Sequence, residues 1–143
     1  MTRKLLRFVS LAVLMAVVWS LAASSARAVD LSGCWEGRWG SNCTPHNGPL
    51  KATFVKQDDT HYCVHFKGRF FKLLPFKYSV TLAVVEDKGD SVTLSGSHYL
   101  GKMFGTFTYT ANATACDFNS RYDSCKDNGY FCLKKVANFT CCD

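Results

Sequence analysis

Apolar side chains recur at every second position along most of this chain. Leu50, Ala52 and Phe54 alternate with Lys51, Thr53 and Val55, and Tyr62, Val64 and Phe66 alternate with His61, Cys63 and His65. Tyr78, Val80, Leu82 and Val84 are separated by Ser79, Thr81 and Ala83. Val92 and Leu94, then Phe107, Tyr109 and Ala111, continue the pattern, and Tyr130-Phe131-Cys132-Leu133 closes it. Successive side chains of a strand point to opposite faces, so a period of two predicts strands with one apolar and one polar face. Turn signals at Asp58-Asp59, Lys88-Gly89-Asp90, Leu100-Gly101-Lys102 and Asp127-Asn128-Gly129 divide the strands at intervals of roughly 10 to 15 residues, as an antiparallel meander requires. No helical period follows residue 28. The expected fold is all-β, a meander of about eight or nine strands. It closes into a small closed or partly open barrel, with a two-sheet sandwich as the alternative, because closure removes exposed strand edges. Gly37, Gly68, Gly96 and Gly105 fall inside strand-like stretches, where glycine permits the sharp bend of a barrel corner.

Only the start of the chain departs from this pattern. Arg3, Lys4 and Arg7 precede an apolar run from Phe8 to Ala23, and Ala26-Arg27-Ala28 places small residues where a signal peptidase reads them. The run is short of the roughly 20 residues a bilayer span needs. Residues 1–28 are therefore expected to be a signal peptide, and residues 29–143 a single β domain of an exported protein in the periplasm, cell envelope or extracellular space. Removal of Arg3, Lys4, Arg7 and Arg27 leaves 13 basic against 11 acidic residues, a net charge of +2 in place of +6. Basicity is thus mainly a targeting feature. One basic cluster survives, Lys67, Arg69, Lys72 and Lys77 interleaved with Phe70, Phe71 and Phe76. Such interleaving can bind single-stranded nucleic acid, but an exported domain has little occasion to meet it. No nucleic-acid partner is expected.

Export changes the meaning of the eight cysteines, Cys34, Cys43, Cys63, Cys116, Cys125, Cys132, Cys141 and Cys142. An even number in an oxidising compartment favours disulfides, and a domain this small, which buries only about two-thirds of its unfolded surface, gains from staples. Cys141 and Cys142 are adjacent. A disulfide wants Cα atoms about 5.5 Å apart while neighbours are held at about 3.8 Å, so each is expected to reach a different partner and pin the C-terminus, with one of them left for an intermolecular bond as the alternative. Leu31-Ser32-Gly33-Cys34 also matches the tetrapeptide at which a cysteine is lipidated. Arg27 and Asp30 between the apolar run and Cys34 argue against that anchor.

The stretch Leu31-x-Gly33-x-Trp35 followed by Gly40-Ser41-Asn42-x-Thr44 resembles the first strand and loop of avidin-type proteins. Its Gly-x-Trp element is also similar to the one lipocalins carry where the first strand enters the barrel. That calycin-like resemblance implies a barrel whose end is closed by Trp35. In avidins an Asn two residues after the Trp and a Ser six after it hold biotin; Gly37 and Ser41 occupy those places here, so one anchor of two is missing. Over the whole expected mature length, Ser32 to Trp39, Phe66 to Phe70 and Pro75 to Leu82 resemble small exported, uncharacterised proteins of planctomycete bacteria. That resemblance implies no activity.

The chemistry on offer is sparse. No G-x-S-x-G or comparable nucleophile signature is present, and the aspartates cluster at turns, where backbone geometry already accounts for them. His61-x-Cys63-x-His65 places three metal-capable side chains on one strand face at about 6.6 to 7 Å intervals, with His98 or His46 as further donors. Three ligands on one straight strand cannot all reach a tetrahedral zinc, whose bonds are about 2.0 to 2.3 Å long, so His61 and His65 read first as a solvent-facing edge and no cofactor is expected. The expected function is non-catalytic binding of an apolar small molecule, a glycan or a protein, with Trp39, Ser41 and Trp35 framing the binding end. A structural role in envelope assembly is the alternative, and a hydrolase is disfavoured.

Overall fold

The computed structural model describes residues 29–70 and 73–137; the expected signal peptide, residues 1–28, and Cys141 and Cys142 lie outside the described residues. Among the described residues eight strands follow one another: β1 (Gly33–Ser41), β2 (Asn47–Lys56), β3 (His61–Phe70), β4 (Leu74–Asp87), β5 (Ser91–Tyr99), β6 (Thr106–Thr114), β7 (Asp117–Asp123) and β8 (Asn128–Lys135). Each pairs antiparallel with the next, and β8 returns to β1 in a register running from Trp35↔Lys135 to Ser41↔Gly129. The sheet is a closed barrel, so neither the partly open form nor the sandwich describes it.

The period-two pattern places the residues as expected. Leu50, Ala52 and Phe54 point inward from β2, Tyr62, Val64 and Phe66 from β3, and Val92 and Leu94 from β5. β7 is the strand that alternation conceals, because its inward set is Phe118, Ser120 and Tyr122, with a hydroxyl at the central core position. Ser120 is only 4% exposed, and its Oγ stays within 3.3 Å of the carbonyl oxygens of Thr110 and Arg121. The serine is thus hydrogen-bonded inside the core, where an unpaired hydroxyl would be costly.

Eight strands enclose a space just wide enough for side chains to fill, and here aromatic rings fill it from end to end. Trp35 meets Phe54 at 5.4 Å between ring centroids, and Phe54 meets Phe118 at 5.1 Å. Phe131 contacts Phe66 at 5.2 Å and Tyr122 at 5.3 Å in the middle. Trp39, Phe70 and Phe76 complete the stack at the far end, with Phe70 and Phe76 4.5 Å apart. Edge-to-face and offset contacts of this kind add to the burial of apolar area.

The two barrel ends differ. One is plugged by the segment entering β1, where Leu31 is fully buried and Val29 nearly so. Hydrogen bonds pin the plug: the Trp35 indole Nε1–H donates to the Leu31 carbonyl at 2.9 Å, the Leu31 N–H to the Tyr62 hydroxyl at 3.4 Å, the Tyr62 hydroxyl to the Val29 carbonyl at 3.3 Å, and Lys135 Nζ to the Asp30 carbonyl at 2.8 Å. The other end carries the β1–β2, β3–β4, β5–β6 and β7–β8 connections. At the corners, Gly37 and Gly96 press against backbone: a Cβ on Gly37 would fall on the Cys132 carbonyl oxygen, and one on Gly96 would lie 2.5 Å from the Thr81 carbonyl oxygen.

Cys43, Cys63, Cys116, Cys125 and Cys132 are free thiols in this structure, all on the outer wall or in end loops. The packing of the interior therefore draws on none of these five.

Candidate functional site

The structure separates the three residues expected at the binding end. Trp35 lies at the plugged end, fully buried against Phe54 and Phe118. Trp39, four residues on and also inward, reaches the loop-bearing end, where its ring packs edge-on to Phe70 and Phe76 and its Nε1–H donates to the Arg69 carbonyl at 3.3 Å. Ser41 Oγ donates to Asp127 Oδ1 at 2.6 Å and accepts from the backbone N–H groups of Cys43 and Thr44 at 3.1 and 3.0 Å. That hydroxyl closes the β1–β2 turn, a local bond serine makes readily. Trp39 and Ser41 share one end with Trp35 absent from it, and both have partners within the barrel.

The histidine strand does not converge either. His61 Nδ1 lies 3.0 Å from Asp58 Oδ1, whereas His65 turns away to Ser79, its Nδ1 at 2.6 Å from Oγ. Cys63 Sγ is 3.7 Å from His65 Nε2. Among the described residues no three His, Cys, Asp or Glu side chains gather closely enough to hold a metal ion. Asp58 is drawn down to about 2, chiefly by the Thr60 backbone N–H, then by the Thr60 hydroxyl and His61. It serves the β2–β3 turn.

A groove of about 580 Å³ instead runs along the outer wall over β6, β7 and β8. It lies within the range usual for ligand sites. Two cross-strand rows build it: Thr110, Arg121 and Tyr130 in register, and Thr108, Asp123 and Asn128 beside them. Because residues two apart on β7 share a face, Arg121 and Asp123 both point outward. Among the described residues neither has an ion-pair partner. Tyr130 lies across Gly40 of β1, so closely that a Cβ there would sit 2.7 Å from the phenol oxygen. Gly40 is therefore what lets an aromatic ring lie flat at the groove's edge. The rim is set by Asn42, whose Nδ2 donates to Asn128 Oδ1 at 2.9 Å.

Beneath the groove, Tyr122 donates to Asp127 Oδ2 at 3.0 Å, and Asp127 receives Ser41 on its other oxygen. This network ties β1, β7 and the β7–β8 loop together. Burial first, and then the Asp127 carboxylate, push the Tyr122 phenol up. Burial likewise raises Tyr78 and Tyr109 deeper in the barrel. A phenol held above its unfolded value of about 10 stabilises the fold fully below that pH and ceases to do so as pH rises beyond it. Alkaline titration should thus show Tyr78, Tyr109 and Tyr122 ionising only together with unfolding. Smooth tyrosinate absorbance for every tyrosine near pH 10, with native circular dichroism retained, would contradict that coupling.

Arg121 and Asp123 are not singled out by the sequence because Ser120 conceals β7, whereas Tyr130 belongs to the closing strand that the pattern shows and only its pairing with Arg121 is missing there. The available signal was Asn119, Arg121 and Asp123 alternating with Phe118 and Tyr122. The chain matches no family model, no curated protein and no solved structure.

Proposed function

We propose that the protein is an exported, calycin-like binding module without catalytic activity, and that its ligand is a glycan held in the groove over β6–β8. The observation that carries this is the placement of an unpaired Arg121 and an unpaired Asp123 beside the flat ring of Tyr130. A sugar ring offers hydroxyls that donate and accept and an apolar face that stacks. Guanidinium supplies donors, carboxylate supplies acceptors, and the phenol ring supplies the platform. The apolar-molecule alternative is less well supported, since the interior where lipocalin-type barrels hold such ligands is filled here by rings.

The buried start of the chain supports the soluble form. Val29 and Leu31 belong to the core. Cleavage and lipidation at Cys34 would remove that plug, so retention from Val29 onward is the form in which the barrel keeps its packed end. Disulfides among the eight cysteines remain part of the proposal as surface staples.

The experiment is a glycan array followed by calorimetric titration of the best oligosaccharide. Arg121→Ala and Tyr130→Ala should each weaken binding about ten-fold or more, because each leaves ligand polar groups or a ring face without a partner, while thermal stability stays within about 0.5 kcal/mol, as for exposed positions generally. Recovery of no glycan, or equal affinity in the variants, would replace this reading with the structural one.

A further inference from the structure

We infer that the loop-bearing end of the barrel docks on an anionic lipid surface, a property independent of the groove. Leu73, 85% exposed, and Leu74, 62%, at the start of β4, and Met103, 72%, and Phe104, 45%, of the β5–β6 connection all stand at this end, where Phe104 meets Phe70 at the end of β3. Large apolar side chains collected on adjacent tips signify a surface meant to be covered.

The patch is held in place from below. Phe104 stacks on Phe70 with 4° between ring planes, and Phe70 rests against Trp39 and Phe76, so the tips continue the aromatic core. The β5–β6 loop is closed by Leu100 N–H to the Gly105 carbonyl at 2.9 Å and Gly105 N–H to the Gly101 carbonyl at 2.8 Å. Gly101 and Gly105 have φ of 86° and 75°, which suit glycine. Lys126 Nζ donates to the Met103 carbonyl at 2.7 Å and fixes the tip further. The β5–β6 tip is therefore a preformed wedge, with Leu73 and Leu74 exposed at the same end.

Charge identifies the occupant. Arg69, Lys77, Lys102 and Lys126 are exposed around the wedge. Between Asp59 and Glu86, and again between Asp90 and Asp117, the chain has no acidic residue. The carboxylates of Asp58, Asp59, Glu86, Asp87, Asp90 and Asp117 belong to the connections and strand ends of the opposite end, and of the two acidic residues at the wedge's own end, both on the β7–β8 corner, Asp127 is engaged by Ser41 and Tyr122 and Asp123 faces the groove. The β3–β4 and β5–β6 side of this pole is thus apolar and flanked by cations, the arrangement that seats side chains in the interfacial layer while Lys and Arg meet anionic headgroups. A second copy seated face to face would set the same four cations against themselves, which disfavours that occupant.

The test is co-sedimentation of the mature protein with phosphatidylcholine–phosphatidylglycerol vesicles and with pure phosphatidylcholine vesicles. Wild type should partition at least about 25-fold more onto the anionic vesicles and lose this in high salt, since each basic side chain near such a surface is worth about five-fold. Leu73→Ser combined with Met103→Ser should lower partitioning at least about ten-fold by removing apolar insertion, with circular dichroism unchanged because both residues are exposed. Lys77→Gln with Lys102→Gln should lower it about 25-fold. Wild type left in the supernatant with both vesicle types, or Leu73→Ser/Met103→Ser binding like wild type, overturns the inference. So does a dimer in sedimentation that the same apolar variant dissolves without any vesicle binding.

Discussion

Trp35→Ala is expected to destabilise the barrel by about 3 to 5 kcal/mol, as truncation of a fully buried large aromatic does. The indole fills the plugged end between Phe54 and Phe118, and its Nε1–H holds the Leu31 carbonyl. Its removal leaves a void at that end and also releases the hydrogen bond that seats the plug. The effect should exceed that of Trp39→Ala, whose neighbours at the opposite end lie beside exposed loops that can settle into the space. Urea denaturation of both variants measures the difference. A loss below about 1 kcal/mol for Trp35→Ala would mean that the plug is not part of the cooperative fold.

Gly37→Val should cost about 3 kcal/mol or more, because its Cβ would fall on the Cys132 carbonyl oxygen, and backbone cannot step aside as a flexible side chain can. The position lies on the seam where β1 meets β8, Gly37 opposite Leu133. Loosening that seam exposes two strand edges, so aggregation should accompany the loss. Glu36→Val, one residue away and pointing to solvent, is the matched control. It gives up only an exposed ion pair to Lys51, worth about 1 kcal/mol at most. Equal stability of the two variants would show that the corner does not need glycine.

The two proposed surfaces are legible in the sequence to different degrees. Lys67, Arg69 and Lys77 among phenylalanines stand out in the sequence as a basic, aromatic cluster. What makes part of that cluster a candidate docking face is the β5–β6 loop, which brings Phe104 onto Phe70 at the end where Leu73 and Leu74 are exposed. The groove was not legible. Its residues come from strands β6, β7 and β8 with Gly40 of β1 at its edge, and only pairing places them together. Ser41 illustrates the converse: the residue pattern resembles a ligand-binding loop, but its hydroxyl is engaged by Asp127 and by its own turn.

What the sequence by itself determined is the face each strand presents and where the chain turns, because side-chain direction alternates within a strand and turn chemistry is local. Those features made an antiparallel meander readable, together with nearly every inward residue. Only the tertiary structure decided closure, since Trp35 and Lys135 or Ser41 and Gly129 become neighbours across the length of the domain. It also decided that Ser120 is a core residue. Its hydroxyl is acceptable there because carbonyl oxygens stand within reach, and a sequence pattern that scores polarity has no view of that partner. Finally, it decided that Trp35 and Trp39, alike in the sequence and inward on the same strand, lie toward opposite ends. A strand rises about 3.3 Å per residue, so four residues carry the second ring roughly 13 Å along, from the plug to the open loops.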